Sequence, residues 1–329
     1  GRMDKARVEA LMAAYKSALE EIIAHCVAKK SSLHTPSDFT ACDWALGQYH
    51  QFLEANGMAA EQVADIYPLS PLQEGMLFHK LMDAGSAAYF VQLALSLEGQ
   101  VDIGRFKESW RRLIQRHSVL RTSFYTEGLD RPVQVVRKAV ELPFRYRDIS
   151  HLGVEQQEQE ITQFLESGRA RGFALQEESL LQLMLFKLGE RAHRLVISNH
   201  HIILDGWSGP VLMQEWLGLY EGQTLDGEVA YAPFIAWLEA KGEEAPAAFW
   251  RDYLAGYEGK SGIPALKEGL PDSYREGQDK TWALALSEEH TRGLEELAAR
   301  SGVSLNTVLQ GIWAAILGRY NQRDDVVFG

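Results

Sequence analysis

Two mainly apolar runs near the middle of the chain constrain its fold more than any other feature. They extend from Leu180 to Leu188 and from Arg194 to Ser198, and neither has a polar face. Runs of this kind are typical of strands that are covered on both sides in a layered sheet. Around them, strand-like and helix-like periods alternate along the sequence, as in the strand pattern from Tyr89 to Glu98. The sequence therefore predicts an α/β fold.

The patterns divide the chain into three regions. Residues 1–66 contain an amphipathic helix pattern from Val8 to Cys26, and we interpret this region as an interdomain linker or the tail of a preceding domain. Residues 67–255 are predicted to form the main lobe. Because the stretch from Gly256 to Gln278 is rich in loop-forming residues, it predicts a boundary, and residues 256–329 are interpreted as the start of a second, truncated lobe.

Local signals predict where several elements begin. Ser208, Ser287 and Ser304 each precede a helical pattern, and a serine hydroxyl at that position accepts from the first free backbone amides of a helix. We therefore expect all three to be helix caps. A strand is expected from Thr281 to Leu286, and another is expected to begin at Val326 without a partner strand.

Charge and composition exclude several classes of protein. The chain has 33 basic and 45 acidic residues, and its formal net charge of −12 is spread along the sequence, which disfavours a nucleic-acid partner. No window approaches about 18 uninterrupted apolar residues, so no membrane association is expected and a cytoplasmic protein is predicted. Cys26 and Cys42 lack metal-ligand spacing, and we expect both to be reduced.

The strongest local signal is the run from His200 to Ser208, HHIILDGWS, which directly follows the second apolar strand. A histidine at this point can present one ring nitrogen to a cleft while a backbone carbonyl holds the other. Asp205 can hold an arginine or a backbone amide beneath the loop, and Gly206 lets a substrate approach the backbone closely. The run therefore indicates a candidate active site.

Two plainer interpretations of the histidine pair stand beside this one. Adjacent histidines at a strand end are commonly polar residues whose hydrogen bonds are satisfied at the edge of a core. A zinc site is the other possibility, but neighbouring strand residues point to opposite faces, so His200 and His201 cannot easily reach one ion. No metal is expected.

Further sequence blocks accompany the histidine run in a fixed order. They are Tyr67 to His79, Arg116 to Phe124, and the weaker Tyr231 to Trp237 and Asp325 to Gly329. With these blocks the chain resembles the condensation domain superfamily of nonribosomal peptide synthetases over residues 67–329. The resemblance implies a two-layer sandwich lobe similar to chloramphenicol acetyltransferase, then the start of a second, incomplete lobe, with a tunnel between them.

The resemblance also implies a reaction and its partners. The expected activity is acyl transfer, in which a donor aminoacyl or peptidyl thioester and an acceptor aminoacyl thioester are joined by a peptide bond. Both substrates would be carried on the 4'-phosphopantetheine of upstream and downstream carrier proteins, with no cofactor bound by this domain. His201 is implied as the catalytic histidine, and Gly206 would offer its backbone amide near the reacting centre.

Five residues around this centre are implied to have supporting roles. His200 and Asp205 would be mainly structural, and Arg121, from the second block, is the expected ion-pair partner of Asp205. Trp207 and Ser208 complete the run, and with them it resembles the corresponding run of condensation domains.

Several alternatives stay open at this point. The stretch from Ile22 to Phe39 resembles the tail of an epimerization domain, which would imply a D-configured donor, but an ordinary linker explains it equally well. An adjacent adenylation or epimerization domain is an expected partner. The main domain could instead be an epimerization domain, a noncatalytic partner-recruiting module, or an acyltransferase that uses coenzyme A. Residues 1–329 alone are expected to be inactive.

Overall fold

The computed structural model describes residues 4–28, 34–40, 42–82, 88–177, 179–227, 229–242, 244–259, 261–263 and 283–328. The chain divides into two compact units, Gly1–Gly242 and Glu243–Gly329. The division falls earlier than residue 255, where the sequence places the end of the main lobe. The described helices include none that is both long and apolar enough to cross a membrane.

The first unit contains seven strands and seven α-helices among the described residues. The strands are β1 (Val63–Pro68), β2 (Phe90–Glu98), β3 (Thr122–Tyr125), β4 (Val133–Arg137), β5 (Phe144–Asp148), β6 (Leu181–Lys187) and β7 (Ala192–His200). The helices are α1 (Lys5–Ala28), α2 (Leu46–Ala55), α3 (Pro71–Met82), α4 (Ile103–Arg116), α5 (Val154–Arg171), α6 (Ser208–Tyr220) and α7 (Ala232–Lys241).

The four-stranded sheet has the order β2-β7-β6-β5. β7 is antiparallel to both β2 and β6, whereas β5 is parallel to β6. The two strands that the apolar runs predict are therefore the two central ones, as expected. The other sheet has the order β1-β4-β3, and both of its pairings are antiparallel.

Helices α4 and α6 cover the main core. Asp102 begins α4 by accepting a hydrogen bond from the Arg105 amide at 3.0 Å. The helix then buries Phe106 and Trp110 completely, and both rings pack on Trp216 of α6, with centroids 5.5 and 5.6 Å away. The predicted helix face around Phe106 and Trp110 is confirmed.

The segment before β1 is partly packed and partly exposed. Tyr49, Phe52 and Met58 are buried in a second core with Tyr125 and Val133 of the β3–β4 hairpin. The helix α1 matches the predicted helical period, yet all of its residues are exposed. Within the first unit, therefore, residues 39–62 share a core with the predicted main lobe, and the role of 1–66 as a linker or tail stays a prediction.

Two strands escaped the sequence patterns. β1 begins at Val63 and crosses the boundary that we place after residue 66, and β5 is an edge strand whose outward residues include Arg145 and Arg147. β1 is interrupted by Asp65, and β5 alternates apolar and charged residues but is only five residues long, which makes its period a weak signal. An edge strand can carry charge because one of its sides faces solvent.

The second unit contains α8 (Glu244–Tyr253), α9 (Glu288–Ser301) and α10 (Leu305–Asn321). Ser287 accepts from the His290 amide and Ser304 from the Thr307 amide, both at 3.2 Å, so both predicted caps are confirmed. The strand predicted from Thr281 to Leu286 is wrong where it can be checked, because residues 283–286 have no strand pairing. Residues 326–328 have no strand pairing either, and the strand start expected at Val326 was predicted to lack a partner. Residues 281 and 282, and the predicted loop from 264 onward, lie outside the described residues.

The core around α4 provides a direct test of the fold. Trp110→Ala should lower the free energy of unfolding by about 3–5 kcal/mol, because the indole is fully buried and its loss leaves a cavity. Trp207→Ala is the matched control, since that indole is 88% exposed and its removal should change stability by less than about 0.5 kcal/mol. Urea unfolding followed by circular dichroism measures both. Equal effects of the two variants would contradict the packing described here.

Candidate active site

The histidine run lies where the ladder of β7 ends. His200 is the last residue of β7, pairs with Phe90 of β2, and donates its amide to the Leu180 carbonyl at 3.0 Å. The next amide, that of His201, donates to the Tyr89 carbonyl at 2.7 Å. Tyr89 has a φ of 65°, which is uncommon for a residue with a side chain. The chain therefore leaves the sheet at a sharply defined point.

The two histidines have opposite surroundings. His200 is 3% exposed, whereas His201 is partly exposed. Among the described residues neither ring nitrogen of His201 has a hydrogen-bond partner. The difference arises at the strand end, because His200 is the last residue of β7 whereas His201 lies in the turn that follows. The expectation that a backbone carbonyl holds one nitrogen of the His201 ring is therefore wrong within the described residues.

His200 holds the loop that follows it by accepting hydrogen bonds from two of its amides. Its Nδ1 atom accepts from the Ile202 amide at 3.1 Å, and its carbonyl accepts from the Ile203 amide at 3.2 Å. Since Nδ1 is an acceptor, the neutral ring carries its proton on Nε2. Burial, with smaller contributions from the nearby Lys80 and His201, lowers the pKa of His200 to about 4. The supporting role predicted for His200 thus has a structural basis.

Asp205 closes the other side of the loop. Its Oδ1 atom accepts from the Ser208 amide at 2.8 Å and from the Ser208 hydroxyl at 2.5 Å. These two bonds, with the Trp207 amide, lower the pKa of Asp205. The carboxylate therefore accepts from the first residue of α6, although Asp205 lies two residues before the N-cap residue, Trp207. The prediction that Ser208 caps this helix is wrong, because Ser208 is already its first residue.

The expected ion pair between Arg121 and Asp205 is absent from the described residues. Arg121 is buried at 5% exposure and donates to the carbonyls of Arg137 and Gln115. The reason is position, since Arg121 ends a short 3₁₀ helix, Ser118–Arg121, directly before β3, and its guanidinium lies along that sheet. Arg121 therefore supports the β3–β4 hairpin in this unit.

Gly206 and Trp207 form the exposed tip of the loop. A Cβ atom at Gly206 would meet nothing within 4 Å, so packing in the first unit does not explain the glycine. Its amide donates to none of the described residues. Trp207 is 88% exposed. These features leave the main chain at Gly206 open to an incoming group.

Residues from the other sequence blocks converge on this loop. Burial raises the pKa of the Tyr231 hydroxyl, Ser70 lowers it by a hydrogen bond, and the charge of Asp205 adds a smaller increase. The Tyr231 amide donates to the Ser118 hydroxyl at 3.3 Å. Gln73, which we did not single out as a site residue, donates to the Ile202 carbonyl at 3.1 Å. Its position three residues after Ser70, in a capping-box pattern, marks the helix start but does not reveal this long-range bond.

No group of three or more His, Cys, Asp and Glu side chains among the described residues could hold a metal ion. His200 is buried and His201 is partly exposed. Cys26 and Cys42 are free cysteines.

A family model described as "Condensation domain" matches residues 63–329. The chain belongs to the condensation domain family. The match begins at Val63, the first residue of β1, and includes the whole histidine run. The family predicted from the ordered sequence blocks is confirmed.

Relatives and solved structures agree with this assignment. Bacitracin synthase 1 from Bacillus licheniformis is 37% identical over 98% of this chain, which spans 6% of that protein. Tyrocidine synthase 2 from Brevibacillus parabrevis is 34% identical over 82% of the chain, and the matched part spans 8% of that protein. The condensation domain thus corresponds to a small part of these relatives.

Solved condensation domains share the fold. The first condensation domain of the calcium-dependent antibiotic synthetase, in complex with substrate analogue 2a, has a TM-score of 0.59 at 21% identity, covering 80% of this chain and 63% of that chain. The condensation domain from Monacolin K polyketide synthase has a TM-score of 0.61 at 20% identity, covering 79% and 60%. The predicted chloramphenicol acetyltransferase-like α/β fold is confirmed.

The buried His200 should make the stability of the condensation domain depend on pH. The unfolded chain binds a proton at His200 near pH 6.5, whereas the folded chain resists protonation until about pH 4. Acidification through this window should therefore destabilise the fold by up to about 3 kcal/mol from this group. His200→Asn should lose that part of the slope, because an amide oxygen can replace Nδ1 as the acceptor but does not titrate. Urea midpoints between pH 7 and pH 4 measure the difference, and parallel curves would refute the assignment.

The bonds from Asp205 to the first residue of α6 predict a modest effect on stability. Asp205→Ala should cost about 1 kcal/mol, the usual size for losing a side-chain acceptor at the start of a helix, while Asp205→Asn should cost less because its side-chain oxygen can still accept. Thermal unfolding of the two variants measures this order. A much larger loss from Asp205→Ala would indicate a buried ion pair instead.

Proposed function

We propose that this condensation domain joins a carrier-bound acyl thioester to the amine of a carrier-bound aminoacyl thioester, with His201 beside the reacting atoms. The observation that carries the proposal is the setting of His201. Its main chain is held at the end of a doubly paired strand, while its ring is partly exposed and its nitrogens are free of partners among the described residues. A rigidly mounted imidazole of this kind can orient and polarise a reacting group.

The reaction itself does not require a strong base. An α-amine has a pKa near about 8, so a useful fraction is already the free nucleophile at neutral pH. The amine nitrogen attacks the thioester carbon, the C–S bond breaks, and the thiol of the donor arm leaves with a proton. His201 orients the amine, or accepts its proton as the tetrahedral intermediate forms and passes it on. No covalent intermediate with the protein is needed.

Gly206 is proposed to stabilise the developing oxyanion. Its amide donates to none of the described residues, and a backbone N–H directed at a developing negative charge lowers the barrier. His200 and Asp205 then act through the loop, by holding its two ends, and Trp207 and Ser208 belong to the same segment. Arg121 acts at the β3–β4 hairpin in this proposal.

A second candidate is epimerization, in which a histidine removes the proton α to a thioester. The same exposed imidazole would serve that chemistry, and the two reactions differ in what they consume. Epimerization needs one loaded carrier, whereas condensation needs two. Transfer from acyl-coenzyme A is a third candidate, and a noncatalytic module of this fold is a fourth.

The finer partners and the stereochemistry belong to the same proposal. The donor and acceptor arms are expected to be the phosphopantetheine groups of an upstream and a downstream carrier protein, in a synthetase with adjacent adenylation or epimerization domains. If residues 22–39 are the tail of an epimerization domain, the donor has the D configuration, whereas an ordinary linker carries no such implication. A single-turnover assay with L- and D-configured donor thioesters decides between them.

Replacement of His201 tests the function directly. In the full-length protein, His201→Ala should lower the single-turnover rate of amide formation at least a hundredfold, because general acid–base and orienting contributions are of this size. Loading of both carriers should be unchanged. The rate of product formation is followed by mass spectrometry of the carrier-bound species.

His151→Ala is the matched control, because His151 is exposed near the start of α5. It should leave the rate unchanged. Equal amide formation by His201→Ala and the control would contradict the role of His201. Inversion of the α-carbon of a substrate on a single loaded carrier would indicate epimerization. Product from free acyl-coenzyme A would indicate a coenzyme A-dependent acyltransferase. No product from the unaltered protein would indicate the noncatalytic module.

A further inference from the structure

Gln73 provides a buried polar contact between the start of α3 and the histidine loop. Its side chain is 6% exposed, and its Nε2 atom donates to the carbonyl of Ile202 at 3.1 Å. Ile202 directly follows His201 in the chain. A residue 129 positions earlier is therefore bonded to the main chain beside the candidate catalytic histidine.

Helix capping explains the hydrogen bond of the Gln73 side-chain oxygen but not that of its side-chain nitrogen. Its Oε1 atom accepts from the Ser70 amide at 3.0 Å, and the Gln73 amide donates to the Ser70 hydroxyl at 3.3 Å. This is a reciprocal capping box. A glutamate would cap equally well, but an ionised carboxylate has no N–H to donate. The bond to Ile202 therefore calls for an amide at this position rather than a carboxylate.

A second buried glutamine fixes the orientation of the Gln73 amide. Gln134 of β4 is fully buried, and its Nε2 atom donates to Gln73 Oε1 at 3.0 Å and to the Pro68 carbonyl at 2.9 Å. The Gln73 oxygen thus has two donors, so a flip of the amide would lose both. The Nε2 atom is thereby directed at the Ile202 carbonyl, at 3.1 Å, and at Gln134 Oε1, at 3.4 Å.

The loop beside His201 is held by several bonds, and Gln73 supplies one of a different kind. The amides of His201, Ile202 and Ile203 bond to atoms of Tyr89 and His200, which belong to the β2 and β7 ends. The Gln73 bond instead ties the loop to α3 and, through Gln134, to the other sheet. Removing its donor would leave the Ile202 carbonyl without this partner in a buried setting, which is costly.

We propose that Gln73 is a positioning residue for His201, holding the Ile202 carbonyl so that the main chain presents the imidazole in one fixed direction. The inference rests on the proposed function for its catalytic consequence. Its structural consequence, a rigid loop at residues 201–205, does not depend on what reaction the domain performs. The two consequences can therefore be measured separately.

The test compares Gln73→Met with Gln157→Met in the full-length protein. Gln157 is a matched control because it is 8% exposed and its Nε2 atom donates to the carbonyls of Ile149, Leu152 and Leu188. Leu188 lies near the start of β7, at the opposite end of the strand from His200, about 25 Å away at the usual rise of a strand. Both variants replace a buried amide by an apolar side chain of similar length.

Gln73→Met should lower the single-turnover rate of amide formation at least tenfold, with less than a twofold change in the KM for the loaded acceptor carrier. It should also speed hydrogen–deuterium exchange in residues 201–205. Gln157→Met should lower the melting temperature to a similar extent without either effect. If Gln73→Met does not fold, Gln73→Asn replaces it, since its shorter side chain keeps the amide but cannot reach Ile202.

Unchanged exchange in residues 201–205 of a folded Gln73 variant would overturn the inference. An equal rate loss in the Gln157 control would also overturn it, because the effect would then be one of general stability. If the unaltered protein forms no amide, the proposed function fails, and the exchange measurement alone decides whether Gln73 positions the loop.

Discussion

The arrangement of the candidate active site depends on the register of β7. This strand is antiparallel to β2 along all nine residues and is paired with β6 over most of its length. A shift by one residue would exchange its side chains between the two buried faces of the strand and change the partners in both ladders at once. Its last residue is therefore fixed, and with it the point at which His200 turns into the core and His201 turns away from it.

The two neighbouring histidines have different chemical properties because one is buried and the other is partly exposed. A charged imidazole is disfavoured in the interior, so His200 stays neutral and its Nδ1 atom is available to accept the Ile202 amide. His201, one residue later, has a ring that none of the described residues engages by a hydrogen bond. A support and a chemically available group thus arise from one dipeptide. Bonds within the loop hold His200. Two further bonds join the loop to helices: Asp205 accepts from Ser208 of α6, and Gln73 of α3 donates to the Ile202 carbonyl.

Much of the first unit was predictable because its signals are local. The central strands β6 and β7 lack a polar face, and α4 has a regular apolar stripe. In the second unit, Ser287 and Ser304 directly precede their helices. The elements that escaped prediction have charges within short strands, as in β1 and β5. The partner of Arg121 was predicted wrongly, because a long side chain can reach several acceptors and only the position of the β3–β4 hairpin selects among them.

The sequence alone determined the family, the α/β class and the histidine at the end of an apolar strand, because ordered motifs and strand periodicity are properties of consecutive residues. The tertiary structure decided which groups meet. Ser208 is the first residue of α6 and donates to Asp205, and Gln73 reaches a carbonyl far away in the chain. Such contacts depend on how the two sheets and their helices pack. The spacing of residues along the chain does not determine which distant residues come together in space.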